Sequence, residues 1–413
     1  MEQSSVYNDE NFSSWKRHLD IVTERARIKM EELNVDSLVA LSAENYYYLA
    51  GFPSYFLYGR RQAGLAMAVM FRNPNKKTVL ILNEFEAASL PKELMKRNEV
   101  RTYPIWVDVD DPYNIKGEKY QNKRPVSFQI DDIFKMLNSA LLDGDVEKGR
   151  VATELQIMQY PAWESLHKNT KNLEFVEAAE LFQELRSIKT SWEINLLRRT
   201  AFLAEKGISE SIKIAKTGIT AADLGAKFKT TIMSDPDCIS ARLHIISIGG
   251  DFAPRRMLST YQGEEGDIVK FDVGADIAGY GSDLARTFVL GQAKDEVKKI
   301  YNALRTGHDR LLEIVGPGIQ MNKVFEEVMG VIKKSGLKSY NRGHLGHSVG
   351  MVIEEPPFVS PSETTTFKPG MVVCLETPYY AYGVGAIMIE NMLLITENGY
   401  EDFNKLSRDL ISL

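Results

Sequence analysis

The first part of the chain alternates between helix-like and strand-like patterns of hydrophobic positions. Residues 14–33 carry apolar side chains at the spacing of an amphipathic helix, and short apolar runs typical of strands follow. A second helix is predicted at Val126–Leu142, and the predicted strands are Ser37–Leu41, Gly64–Phe71, Lys77–Leu82, Gly149–Thr153 and Leu173–Val176. This alternation predicts a compact α/β domain, to which we assign residues 1–177.

Beyond residue 177 the pattern changes to long helices followed by paired strands. The predicted helices are Ser191–Ala215, Thr220–Met233, Lys294–Ile314 and Met321–Lys334. The segments between the later helices favour antiparallel hairpins, and hairpins with helices packed on one side are α+β in character. We therefore expect a second domain of α+β type over residues 178–413, and 413 residues are ample for two domains.

Composition and charge narrow the class of protein. Apolar residues make up 44% and charged residues 26% of the chain, as in ordinary globular proteins. The net charge of −6 argues against a nucleic-acid partner, which would require a basic face. No apolar run is long enough for a membrane span, and the polar start of the chain does not resemble a signal peptide. With only two cysteines, Cys238 and Cys374, we expect a cytoplasmic protein without disulfides.

The candidate chemical groups are two aspartates, a histidine and two glutamates in the last third of the chain. An apolar–polar alternation over 270–274 predicts a strand that carries Asp272, and a glycine-rich turn leads to a second strand at 285–290. A hairpin centred near Ile277 would place Asp272 opposite Asp283. Two bare carboxylates that close repel each other, and a bound dication removes that penalty.

The other three candidates are His347, Glu376 and Glu390. Glu376 ends an apolar run, and Glu390 lies inside the predicted strand 386–395, where an unpaired carboxylate would be costly to bury. Four carboxylates and one imidazole suit a pair of divalent ions held mostly by oxygen.

These residues lie in motifs that resemble the creatinase, prolidase and methionine-aminopeptidase family, the "pita-bread" metallohydrolases. The matching segments are DVG at 272–274, DLART at 283–287, GHSVG at 346–350, PGMVVCLETP at 369–378 and MIEN at 388–391. Upstream, LRSIKTSWEINLLRRT (185–200) and SAENYYYLAGF (42–52) resemble the helix that opens the catalytic domain and a motif of the amino-terminal domain. The resemblance implies a creatinase-like domain followed by a pita-bread catalytic domain.

The resemblance also implies roles for the five candidates. Asp283 and Glu390 would bridge two divalent ions, Asp272 would complete one site, and His347 with Glu376 would complete the other. Glu376 would act as general base. Manganese is the expected metal, with cobalt or zinc as alternatives. The reaction implied is hydrolysis of an amide C–N bond.

Two positions depart from the peptidases of this family. Those enzymes carry substrate-facing histidines where this chain has Arg255, after Pro254, and Glu354. Arg255 and Glu354 could bind the carboxylate and the amine of an amino-acid-like substrate. Alternatively, they could form a salt bridge with each other.

Three further residues have candidate roles. His244 could replace a missing substrate histidine, or it could be a core residue. His344 precedes His347 by three residues, which predicts opposite faces of a strand and a packing role for His344. Arg60 lies where creatinase grips its substrate across a dimer, so we expect a homodimer and a loop at 54–61 that serves the partner's site.

Three functions remain at this point. The first is an Xaa-Pro dipeptidase or aminopeptidase, favoured by the five ligands. The alternative is a hydrolase of a small non-peptide amide or amidine, resembling ectoine hydrolase or creatinase and favoured by Arg60, Arg255 and Glu354. A catalytically silent binding protein with this fold is the third, and the complete ligand set argues against it.

Overall fold

The structure is a computed structural model that describes residues 9–106, 128–250 and 260–413, with side chains from residue 12. Its contacts divide the chain into two units, residues 19–185 and residues 186–413 together with the start of the first helix up to His18. The boundary between the two units therefore follows Leu185, whereas the predicted domain boundary follows residue 177. Among the described residues, no helix has both the length and the apolarity needed to cross a membrane.

The first unit is an α/β domain built on one six-stranded sheet. Its helices are α1 Asp9–Glu32, α2 Ala43–Ala50, α3 Tyr55–Arg60, α4 Glu84–Ala87, α5 Lys92–Arg97, α6 Ile130–Asp143, α7 Tyr160–Asn169 and α8 Ala179–Ser187, with a 3₁₀ turn at Leu155–Ile157. Its strands are β1 Ser37–Ala40, β2 Met67–Phe71, β3 Val79–Asn83, β4 Glu99–Tyr103, β5 Gly149–Thr153 and β6 Leu173–Glu177, in the order β4-β3-β2-β1-β5-β6. The predicted fold class is confirmed. The start of the second predicted helix, Val126 and Ser127, lies outside the described residues.

One element of this unit was predicted wrongly. The segment expected to be a loop at 54–61 contains the short helix α3. Ser54 caps its start by accepting a hydrogen bond from the Leu57 amide, and Arg61 ends it in the left-handed region with φ +52°. A serine at the N-cap satisfies an amide that the first helical turn leaves free, which allows so short a helix to form.

The second unit combines a large antiparallel sheet with four helices. The helices are α9 Ser191–Ile212, α10 Ala221–Ile232, α11 Asp295–Ile314 and α12 Met321–Lys334. The strands are β7 Cys238–Ser240, β8 His244–Ile248, β9 Ile268–Val273, β10 Asp276–Ile277, β11 Tyr280–Gly281, β12 Leu284–Val289, β13 Gly346–Ser348, β14 Glu355–Phe358, β15 Val372–Glu376, β16 Tyr379–Ala381, β17 Gly385–Ile387, β18 Glu390–Thr396, β19 Gly399–Asp402 and β20 Ile411–Ser412. The main sheet has the order β14-β13-β15-β18-β12-β9-β8, with β19 beside β18 and β20 beside β12.

The main sheet buries one face against helices α11 and α12. Val373, Leu375 and Leu393 on this face belong to a hydrophobic cluster with side chains of both helices, such as Leu304 and Val328. Because successive strand residues point to opposite faces, the residues between them face the other way. The apolar side of β15 and β18 thus fixes which of their residues can form a site.

The hairpin of β9 and β12 is shifted from its predicted register. Asp272 pairs with Ala285, and the turn residues are Ala278 and Gly279, with φ +51° and +78°. A two-residue hairpin turn of type I′ has positive φ at both central residues, and glycine adopts it without steric cost. The predicted pairing of Asp272 with Asp283 was therefore wrong by two residues, but a shift of two keeps both side chains on one face.

The predicted strand at 386–395 is interrupted in the structure. β17 ends at Ile387 and β18 begins at Glu390, because the Thr287 hydroxyl donates to the Met388 carbonyl and accepts from the Met388 amide. Glu390 is thus the first residue of a strand instead of an internal one.

The hairpin that carries the two aspartates depends on a close approach at Gly274. A Cβ atom at Gly274 would lie 1.8 Å from the Ser282 carbonyl oxygen. We predict that Gly274→Ala lowers the free energy of unfolding by about 1–3 kcal/mol, since overpacking forces the backbone to shift. Gly330→Ala in α12 is the control: open space surrounds Gly330, and alanine should stabilise the helix by about 0.5–1 kcal/mol. Equal chemical denaturation curves for the two variants would contradict the predicted difference in their free energies of unfolding.

Candidate metal centre

Three of the five candidates lie on one line across the main sheet. Glu376 pairs directly with Glu390, Glu390 pairs with Ala285, and Ala285 pairs with Asp272. Residues directly opposite each other on antiparallel strands project to the same face. The strand pairing alone therefore brings Glu376, Glu390 and Asp272 to one side of the sheet, opposite the helices.

The other two candidates are each two positions away from this line. Asp283 precedes Ala285 by two residues, and His347 pairs with Cys374, which precedes Glu376 by two residues. A spacing of two preserves the face. All five predicted ligands consequently share the face of the sheet that the helices leave free.

Asp283, His347 and Glu390 form the tightest group. One possible ligand atom from each lies within 4.8 Å of the others, and His347 Nε2 is 3.7 Å from Asp283 Oδ2 and 3.8 Å from Glu390 Oε1. His347 Nδ1 lies 3.1 Å from its neighbour's carbonyl oxygen, that of Ser348. Donation from Nδ1 to this carbonyl leaves the Nε2 lone pair free to face the two carboxylates.

The buried oxygens of this group show that the residues fit a cation. Asp283 Oδ1 and both carboxylate oxygens of Glu390 have no hydrogen-bond partner among the described residues. Burial, reinforced by the neighbouring carboxylates, raises the pKa of Asp283 and of Glu390 well above their usual ranges. Burial lowers the pKa of His347, which keeps the imidazole in its neutral, ligating form. A divalent ion would supply the missing partner for Asp283, His347 and Glu390.

Glu376 lies beside this group among cationic and neutral donors. Arg342 Nη2 is 3.6 Å from Glu376 Oε1, and His344 Nδ1 is 3.3 Å from the same oxygen but poorly aligned for a hydrogen bond. Burial raises the pKa of Glu376 to about 7; the Arg342 guanidinium acts in the opposite direction. Glu376 can therefore exchange a proton near neutral pH.

Asp272 has a different partner. Lys270 Nζ lies 2.8 Å from Asp272 Oδ2, and both side chains are buried. The two residues are neighbours on one face of β9 because they are two positions apart. Lys270 was not among the predicted site residues, even though its spacing of two from Asp272 is visible in the sequence. Arg342 was not predicted either, because its loop has no periodicity that reveals it.

These groups line a cavity of about 220 Å³. All five candidate ligands contribute to its wall together with Lys270, Arg342 and His344, and apolar side chains such as Leu243, Ile245 and Met388 complete it. The arrangement combines an acidic, cation-binding floor with titratable and cationic groups around it, which is the composition of a hydrolytic site.

His344 was predicted on the wrong side. The expected opposite orientation of His344 and His347 assumed one continuous strand, but β13 begins only at Gly346, whose φ of +147° turns the chain. Both imidazoles consequently line the cavity, with ring centroids 6.2 Å apart.

The predicted substrate residues are placed differently from one another. Glu354 lines the cavity and is exposed to solvent. His244 pairs with Val273 and therefore faces the opposite side from Asp272; its ring lies 5.8 Å from that of Phe228. The structure thus makes His244 a packing residue rather than part of the cavity. Burial lowers its pKa to about 4. Arg255 lies in 251–259, outside the described residues.

Arg60 lies in the first unit, where it is the last residue of α3 and has an exposed side chain. Its guanidinium carbon lies 4.7 Å from the ring centroid of Trp106 and 5.3 Å from that of Phe56. It forms no ion pair with any carboxylate in the described parts of the chain.

The buried carboxylates generate a prediction about the metal-free protein. The pKa of Glu376 is about 7 in the folded state against an ordinary value of 4.5, so the folded protein holds a proton that the unfolded chain has already released. The resulting stabilisation is fully present below pH 4.5 and is lost as pH rises through about 7. For Glu376 alone the loss is roughly 3 kcal/mol, and Asp283 and Glu390 act in the same direction.

We therefore expect chelator-treated protein to melt at a lower temperature at about pH 8 than at about pH 5.5. Glu390→Gln should flatten this dependence because it removes one buried charge. Saturating divalent metal should reverse the slope, since metal binds the deprotonated ligands. A metal-free protein that becomes more stable as pH rises from 5.5 to 8 would contradict the raised pKa values of Asp283, Glu376 and Glu390.

Comparison with known proteins agrees with this geometry. Residues 195–397 match the model of metallopeptidase family M24, and residues 23–188 match the creatinase/prolidase N-terminal domain. An Xaa-Pro dipeptidase from Pyrococcus furiosus is 30% identical over 255 residues, which cover 62% of this chain and 73% of that protein. A protein from Bacillus subtilis described as the putative dipeptidase YkvY is 26% identical over 281 residues, 68% of this chain and 77% of its own length.

Solved structures share the fold of the whole chain. An Xaa-Pro dipeptidase from Bacillus anthracis superposes with a TM-score of 0.78 at 20% identity, covering 96% of this chain and all (100%) of its own. The prolidase from Pyrococcus horikoshii gives 0.76 at 22% identity and covers 94% and 99%. The predicted combination of a creatinase-like amino-terminal domain and a pita-bread domain is thereby confirmed.

Both halves of the chain match domains of one family, and one relative is 30% identical across most of its own length. With the predicted ligands gathered on one buried sheet face, the chain belongs to the creatinase/prolidase group of metallopeptidase family M24 and is a metal-dependent hydrolase.

Proposed function

We propose that this protein is a dipeptidase that hydrolyses the amide bond before proline in Xaa-Pro dipeptides. The observation that carries the proposal is the group Asp283, His347 and Glu390, in which the unpartnered oxygens of the two carboxylates lie at a cavity shared with Glu376. A cavity of about 220 Å³ favours a small substrate over a folded protein. The curated relatives described as Xaa-Pro dipeptidases support the choice of substrate.

Asp283, His347 and Glu390 would hold a divalent ion, with Glu376 beside it. Carboxylate oxygens with a single imidazole suit manganese, and cobalt or zinc can occupy the same kind of site. When bound, the ion polarises the scissile carbonyl and makes a neighbouring water more acidic. The resemblance predicts a second ion at Asp272.

Glu376 is proposed to move the proton. Its carboxylate takes a proton from the attacking water and delivers it to the leaving amine, a role that requires a pKa near the working pH. Burial raises the pKa of Glu376 into that range, and the Arg342 guanidinium limits the rise. Arg342 and His344, which approach the same oxygen, would fix the orientation of the carboxylate.

Substrate recognition is proposed to use charges around the cavity. Glu354 contributes an exposed carboxylate at the cavity wall, which suits the amino group of a dipeptide. Arg255 would bind the carboxylate at the other end. If Glu354 binds the amino group and Arg255 binds the carboxylate, this division of roles accounts for the replacement of both family histidines at these positions.

The substrate proposal predicts a specific activity profile. Manganese-loaded protein should release free proline from Xaa-Pro dipeptides at a rate at least tenfold above its rate on matched Xaa-Ala dipeptides, measured by amine detection. Glu376→Gln should keep the metal but lose roughly 10²–10⁴-fold in turnover, because an amide cannot accept the water's proton. Xaa-Pro-Yaa tripeptides, creatine and ectoine belong in the same panel, and cleavage of one of these with intact Xaa-Pro dipeptides would refute the proposal.

We also propose that the protein acts as a homodimer in which Arg60 serves the site of the partner subunit. Support comes from its exposure and from the aromatic rings of Phe56, Trp106 and Phe128, which support the guanidinium without neutralising it. Arginine stacked on aromatic rings is typical of recognition sites for carboxylates.

Arg60→Ala should accordingly raise KM for a dipeptide roughly ten- to hundredfold while leaving the metal content unchanged. Arg61→Ala is the matched control, because Arg61 stacks on Tyr58 instead of this aromatic group. A mixed dimer of Arg60→Ala and Asp283→Ala subunits should recover close to one working site in two. A monomer at micromolar concentration, or an inactive mixed dimer, would contradict the assignment.

A further inference from the structure

Lys270 places a positive charge inside the carboxylate cluster. Its ammonium group lies 2.8 Å from Asp272 Oδ2 and 5.4 Å from the centroid of the Tyr380 ring. The side chain of Lys270 is 1% exposed and that of Asp272 is 9% exposed. A buried charge requires an opposite charge close by, so the two residues form a unit that is stable without an external ion.

The remaining ligands form a separate group that does not include Asp272. Among the described residues, the donor atoms that all lie within 4.8 Å of one another come from Asp283, His347 and Glu390 alone. Asp283 Oδ1 and both carboxylate oxygens of Glu390 lack hydrogen-bond partners among the described residues, whereas Asp272 Oδ2 accepts from Lys270. The cluster thus has one cation position that is already filled by the protein and one that requires an ion.

The position of the Lys270 ammonium group also opposes a second ion at Asp272. A divalent ion bound there would lie next to a buried positive charge, where repulsion is weakly screened. Arg342, which lines the same cavity, places a second positive charge near Glu376.

We propose that the ammonium group of Lys270 takes the place of the second metal ion, so that the centre binds one divalent ion through Asp283, His347 and Glu390. Asp272 then holds Lys270 instead of a metal. This departs from the pair of ions that the family resemblance implies. It rests on the proposed function only in requiring that the cavity bind a divalent cation.

The metal content of four proteins tests this assignment. After loading with excess Mn²⁺ and gel filtration, elemental analysis should find one ion per chain in the wild type and in Asp272→Asn. Lys270→Met, which removes the charge at similar length, should bind two. The double variant Lys270→Met/Asp272→Asn should return to one, because the freed carboxylate is absent.

Two controls accompany these measurements. Asp283→Asn should bind no ion tightly, and Lys298→Met, at an exposed position on α11, should behave as the wild type. Electron paramagnetic resonance gives an independent readout: isolated Mn²⁺ shows six resolved lines, whereas two coupled ions in Lys270→Met should broaden and weaken that signal.

Two outcomes overturn the proposal, and both are separate from a failure of the dipeptidase proposal. Two ions per chain in the wild type would show that Lys270 leaves Asp272 when metal binds. One ion in both the wild type and a folded Lys270→Met would show that Lys270 is not what excludes the second ion. A wild type that binds one ion but does not cleave Xaa-Pro dipeptides would refute only the substrate assignment.

Discussion

Repulsion between buried carboxylates is the constraint on which the second unit depends. Asp272, Asp283, Glu376 and Glu390 project from one sheet face into a cavity of about 220 Å³, and each is almost completely buried. Such a cluster is unfavourable in the folded protein unless positive charge or protons compensate for it. The metal requirement, the raised pKa values and the buried Lys270 all follow from this one arrangement.

Apolar packing on the opposite face of the same sheet offsets the unfavourable free energy of burying this cluster. Val373 and Leu375 pack into the core with α11 and α12, whereas Cys374 and Glu376 project to the opposite face, where Glu376 lines the cavity. His308 on α11 contacts the backbone of β15, because its Nε2 lies 3.1 Å from the carbonyl oxygen of Leu375. Burial and nearby arginines lower the pKa of His308, so it acts as a neutral hydrogen-bond group within the core. The functional carboxylates are therefore mounted on strands whose backbone is fixed by apolar packing.

Three cationic side chains act on the cluster. Lys270 neutralises Asp272, Arg342 approaches Glu376, and Arg286 donates to the backbone carbonyl of Glu390 at 2.6 Å. The first two change the charge of the cavity, whereas the third holds a ligand's backbone in place. On the proposed assignment of Lys270, a single side chain on a strand changes the number of ions that the centre binds.

The sequence by itself determined the set of candidate ligands, the class of each domain and most of the helices. These features depend on local periodicity: apolar residues at helical spacing fixed α11 and α12 nearly to the residue, and strand alternation placed Asp272 on a definite face. Burial of single polar residues was harder to infer, and His308 and His18 are both buried. Both lie on helices, where a single polar residue on the packed face cannot be recognised without its partner, such as Thr190 for His18.

Only the tertiary structure decided the register of the hairpin and the orientation of His344 and His244. Register depended on which residues of the turn could adopt positive φ, and the place of His344 depended on where β13 begins. His244 was assigned to the core by the strand next to it, since it pairs with Val273 rather than with Asp272. Each of these outcomes is set by contacts between segments that are separate in the sequence or by the backbone geometry at one glycine, and hydrophobic patterning records neither.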